Sequence, residues 1–130
     1  SYALSVDFTD DRVAAFIYAC GDMLLMAHGE RTTFTLLNGL DAQRLYNAAR
    51  NMEIAMWVLN SRRKPDGTPL LLANEISAAG QNLSFEREMG KIIGRLDLLA
   101  TFTTEKYRRA LINYGQNWMA GPLLTFLPVR

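Results

Sequence analysis

The side chains best suited to catalysis are scarce in this sequence: of 130 residues, one is cysteine (Cys20) and one is histidine (His28). A thiol nucleophile needs a base within hydrogen-bond reach to take its proton. Cys20 and His28 stand eight positions apart, just over two helical turns, which is too far for direct pairing on one helix. Cys20 falls inside an apolar helical pattern, where cysteine acts as a small hydrophobe. His28, at the expected end of that helix, suits a capping or charge–dipole role. One His and one Cys with no converging carboxylates do not make a zinc site. No Gly-x-Ser-x-Gly elbow accompanies the lone histidine, so a serine triad is unsupported. The carboxylate pairs Asp10/Asp11 and Glu86/Glu88 are one and two positions apart, and such neighbours do not face each other on a helix. Gly90 and Gly94 lack the strand–loop–helix setting of a phosphate loop. No catalytic residue, metal ligand or cofactor is assigned, and the chain is read as non-enzymatic.

Binding chemistry is better represented. Arg87, Lys91 and Arg95 recur every four residues on one side of an amphipathic helix, with Gly90 and Gly94 beside them. A glycine inside a helix costs ~1 kcal/mol relative to alanine, so two on an outward face suggest close approach by a phosphate backbone or a second helix. Arg62, Arg63 and Lys64 form a second basic group in a loop. The same residues also read as a solvated charged face, with Glu88 and Asp97 compensating. Residues 72–96 have a helix–turn–helix flavour, although the 77–83 connector is long for the tight turn of that motif. Net charge is only +1, but residues 1–30 hold Asp7, Asp10, Asp11, Asp22 and Glu30 against Arg12 alone. Bulk charge therefore gives no strong drive toward nucleic acid or membrane.

Apolar surface is the third resource. Hydrophobic residues make up 49% of the chain, which fits a globular domain and excludes a disordered one. The surplus concentrates at 23–27, at 54–59 with Trp57, at Trp118, and in a tail containing Leu123, Leu124, Phe126 and Leu127. An apolar tail of this kind must be tied to a core or to another protein. Trp57, Trp118 and the tail are accordingly the candidate association face.

The elements that must position these groups read as mainly α: one domain, 1–130, built as a bundle of about five helices. The first helix starts at a Thr9 or Asp10 cap and runs to Ala27, where His28-Gly29 stops it. The second spans about 41–59, a short third 70–79, a fourth 85–100 and a fifth from Thr103 or Thr104 to Gly121-Pro122. Residues 2–8 alternate like a strand and could pair with the β-leaning 31–37, or the latter could be a packed connection. The amino end lacks a secretory pattern, no apolar run reaches the ~20 residues of a membrane span, and the lone cysteine favours a reducing compartment. The expectation is a cytoplasmic interaction or regulatory protein that binds other proteins and forms a homodimer. The alternative is a DNA-binding transcriptional or replication regulator, and the third reading is a small enzyme of unassigned chemistry.

Overall fold

The computed structural model describes residues 2–33, 39–71, 74–77 and 80–124. Three α-helices dominate them: α1 (Arg12–Ala27), α2 (Ala42–Ser61) and α3 (Ser84–Leu124). A short 3-10 turn, Tyr2–Leu4, precedes α1, and an antiparallel hairpin of β1 (Asn74–Ser77) and β2 (Gly80–Leu83) leads into α3. The fold is mainly helical, as expected, but with three α-helices among the described residues rather than about five.

Local chemistry sets the helix ends. The Asp11 carboxylate, rather than Thr9 or Asp10, caps α1 by accepting from the Ala14 amide. Asp41 does the same for α2 through the Gln43 and Arg44 amides, satisfying donors that have no partner within the helix. At the far end of α1 the Gly29 amide donates to the Met26 carbonyl and the Glu30 amide to the Leu25 carbonyl. Gly29 has φ +69°, the left-handed geometry that this paired helix stop requires.

Three differences from the sequence reading have physical causes. The amino-terminal arm is a turn because the buried Arg12 guanidinium collects the carbonyls of Ala3, Ser5 and Phe8. Those groups face a side chain rather than a β-partner, and the arm pairs as a strand with none of the described residues; 34–37 of the expected partner segment lie outside them. The expected short helix at 70–79 is replaced in part by β1, whose Asn74–Ser77 register runs against Leu83–Gly80. The Gly80-Gln81-Asn82 run that ends the helical pattern in sequence serves here as a strand. A helix–turn–helix over 72–96 is therefore absent among the described residues: its first helix is a β-strand.

The third difference is continuity between the expected fourth and fifth helices, which form one 41-residue helix. Thr103 is buried at 5% exposure, and the Thr104 hydroxyl donates to the Ala100 carbonyl. That back-bond satisfies the threonine within the helix instead of capping a new one.

The core lies where α2 meets the first half of α3, with α1 and the arm closing one side. Phe16, Cys20, Met52, Met56, Leu59 and Met89 form one buried cluster, and Ala27, Leu45, Ala48, Ala49, Leu96 and Ala100 form the other. Since Phe16 packs toward Leu59 and Ala27 toward Leu45, α1 and α2 run antiparallel. Leu45 and Met52 are fully buried, each contributing roughly 1.5–3 kcal/mol through removal from water. Arg50 crosses from α2 to the Asp97 carboxylate of α3 at 2.7 Å, so Asp97 is an interhelical tie rather than compensation for the basic row.

Arg12 anchors the arm to α1. We expect Arg12→Ala to lower the unfolding free energy by about 2–3 kcal/mol, because three carbonyls lose a charged donor. Urea denaturation measures it, and an unchanged midpoint would remove this role for the guanidinium.

Candidate functional site

The length of α3 leaves a long apolar stripe exposed. At 100° per residue, Tyr107, Leu111, Tyr114 and Trp118 fall on the same side as Met89, Leu96, Ala100 and Thr103. The upstream residues are buried against α2, with Leu96 at 2% exposure, whereas Leu111, Tyr114 and Trp118 are each 73% exposed. One apolar stripe therefore continues past the end of the helix it packs on.

The transition falls near Tyr107. Its hydroxyl lies over Gly39, where an added Cβ would sit 3.3 Å from the oxygen. Ala42 and Tyr46, at the start of α2, share a surface depression with Ala100 and Thr104. From Arg108 onward the helix extends for seventeen residues, about 25 Å at 1.5 Å per residue. The described side chains of 108–119 are exposed apart from the half-buried Gly115. At the root of this extension Arg108 pairs with Glu105 at 2.7 Å. The Arg108 hydrogen bond, ahead of its charge, draws the Glu105 carboxyl below its ordinary pKa, and Arg108 is raised in turn.

A second apolar feature lies between α1 and α2. A groove of about 400 Å³ is lined by Phe16, Ala19, Cys20 and Met23 from α1 and by Ile54, Ala55 and Val58 from α2. Ala19 and Ile54 are exposed at its edges, and Arg62 closes part of it while donating to the Leu4 carbonyl at 2.9 Å. Cys20 contacts the Met52 sulfur at 3.7 Å, and burial raises its thiol pKa above the ordinary value. That suits packing and works against a nucleophile. His28 turns Nδ1 to the Leu24 carbonyl at 2.7 Å, at the end of α1.

The basic row is present as a row. Arg87, Gly90, Lys91, Gly94 and Arg95 are all exposed on α3, and a Cβ added at either glycine would meet nothing within 4 Å. Lys91 pairs with Glu88 at 2.7 Å. That hydrogen bond and charge, with smaller contributions from Arg87 and Arg95, lower the Glu88 pKa. The second basic group sits in a tight turn in which the Asp66 carboxylate accepts from the Thr68 amide and hydroxyl. Arg63 and Lys64 are exposed there, while Arg62 is engaged with the arm. An Asn60–Glu86 hydrogen bond of 3.0 Å ties the end of α2 to the start of α3, placing this turn toward the Arg87 end of the row.

Of the expected association face, Trp57 is 69% and Trp118 73% exposed, on different helices. Leu123 and Leu124 belong to the last turn of α3, and Phe126 and Leu127 lie outside the described residues. The groove and the continuity of the α3 stripe were not anticipated. The stripe was legible, since the 96, 100, 103, 107, 111, 114, 118 spacing crosses the assumed break at Thr103 without changing side.

Among the described residues no three His, Cys, Asp or Glu side chains gather to hold a metal ion, and no helix is long and apolar enough to cross a membrane. Comparison with protein-family models, curated proteins and solved structures gives no match, so the surfaces themselves carry the functional argument.

The open surroundings of the two glycines make their energetics testable. Gly90→Ala and Gly94→Ala should each raise the unfolding free energy by about 0.5–1 kcal/mol, read from urea titrations. A loss of stability at either site would show that the row is packed rather than open.

Proposed function

We propose that this protein acts by binding rather than by catalysis, and that it self-associates through the uncovered stripe of α3. The carrying observation is the exposure of Leu111, Tyr114 and Trp118 on the side of α3 that forms the core up to Thr103, about two turns before Leu111. Water is a poor partner for such a stripe, and contiguous exposed apolar patches mark interaction sites. An aromatic side chain can bury ~150–250 Å². Tyr107, Tyr114 and Trp118 from two copies, with Leu111, thus reach the order of 1,000 Å² expected of a specific interface. Aromatic anchors of this kind dominate binding energies. A buried free thiol at Cys20 fits a reducing compartment, supporting a cytoplasmic setting, and we read the binding as regulatory.

Light scattering at micromolar concentration should give the mass of two chains. Tyr114→Glu/Trp118→Glu should give one chain that keeps most of its helical circular dichroism, because both positions are exposed and lie beyond the core. A wild-type monomer at tens of micromolar would overturn the reading.

A second reading rests on the open row of Arg87, Gly90, Lys91, Gly94 and Arg95, which offers cations and room for a phosphate backbone. Three phosphate contacts predict duplex DNA binding whose log affinity falls with log salt at a slope of about −3. Arg87→Glu/Arg95→Glu should abolish it. No mobility shift at low ionic strength would eliminate this alternative.

A further inference from the structure

We infer that the apolar groove between α1 and α2 is the seat for the α3 extension of a second copy, so that two chains exchange these helices reciprocally. The inference rests on the self-association reading above and assigns the surface that the stripe meets. Three observations support it.

The first is shape. The extension is about 25 Å long and α2, with twenty residues, is about 30 Å at the same rise, so one helix can lie along the groove within the body of the other chain. Leu111, Tyr114 and Trp118 recur at i, i+3 and i+7, the spacing by which a helix anchors in an apolar groove. Phe16, Cys20, Met23 and Val58 offer that groove apolar walls.

The second is direction. The exposed stripe is the straight continuation of the face that packs on the chain's own α2. A two-fold axis perpendicular to α3, just beyond the start of α2, would place each extension beside the other copy's α1–α2 pair with that stripe turned inward. The contact is then isologous and closes on itself.

The third is charge. Residues 1–30 carry five carboxylates against Arg12, whereas residues 105–124 carry Lys106, Arg108 and Arg109 against Glu105. Arg62 is the one charged residue lining the groove, and it is held by the Leu4 carbonyl. Seating the extension beside α1 brings its cationic root, Lys106 to Arg109, to the end of α1 that carries Asp22 and Glu30, and such complementarity favours encounter and register. Pairing the two extensions with each other would instead lay two cationic segments together and leave the groove open.

Mixing two full-length variants tests the exchange. Trp118→Glu disables the extension, and Ala19→Glu/Ile54→Glu disables the groove at two exposed positions. Each alone should raise the dimer dissociation constant more than tenfold in sedimentation or light scattering. Their mixture should regain a heterodimer, because one extension and one groove remain intact. Wild-type dimerisation by the groove variant, beside a monomeric Trp118→Glu, would overturn the inference and leave self-association standing. Two monomeric variants that fail to complement would overturn reciprocity. A monomeric wild type would overturn the reading beneath it. Should the groove variant lose its circular dichroism, the alkylation rate of Cys20 by N-ethylmaleimide, at fixed pH, replaces it. That rate should fall severalfold as wild-type chains pair and stay constant for Trp118→Glu; a concentration-independent wild-type rate would overturn the assignment.

Discussion

The packing of α2 against α3 is the constraint on which the other features depend, and its members differ twofold in length. Twenty residues cannot cover forty-one. Ala48, Ala49 and Ala100 keep the two helices close where they meet, and Arg50 fixes their relative position by donating to both oxygens of Asp97. With the register set, the excess length of α3 must emerge at one end. The Asn60–Glu86 bond holds the start of α3 at the end of α2, so the excess emerges beyond Ala42. The exposure of the stripe is thus a consequence of register and length, while its apolar character comes from Tyr107, Leu111, Tyr114 and Trp118.

The arm and α1 answer a different problem. Alone, α2 and half of α3 would leave Met52, Met56 and Leu59 open on one side. The arm's 3-10 turn covers part of that side with Leu4, and it can do so because Arg12 and Arg62 together collect four arm carbonyls. The closure is incomplete. Between α1 and α2 the cover stops at the groove, where Ile54 is 60% exposed. Among the described residues a convex stripe and a concave groove are both left apolar and uncovered in one chain, and complementarity between them is the simplest way to remove both from water.

Much of the helical content was legible because it depends on local rules. Asp41 before an apolar-periodic run, and His28-Gly29 after one, mark helix ends through donors and acceptors within a few residues. The misread elements depend on partners distant in sequence. Residues 2–8 alternate like a strand, and only the Arg12 guanidinium reveals that their carbonyls are already taken. Thr103-Thr104 resembles a cap, because the burial that keeps Thr103 within a helix comes from packing against another element. The hairpin at Asn74–Leu83 occupies a stretch whose apolar spacing also suits a helix, an ambiguity inherent in short runs. Among the candidate site residues, Trp118 and the Arg87–Arg95 row were recognisable from type and spacing. The groove was not, since its walls come from two helices some thirty residues apart.

The extension would also change what kind of event an association at its stripe is. Residues 84–107 already supply the costly nucleus of helix formation, so each further residue is added at a free energy near zero, and Gly115 weighs against the helix by ~1 kcal/mol. The number of turns beyond Arg108 is then an equilibrium quantity. Any surface that covers Leu111, Tyr114 and Trp118 draws that equilibrium toward the full length, which makes partner binding and helix growth a single linked process. In that sense the far end of α3 measures how completely it is covered.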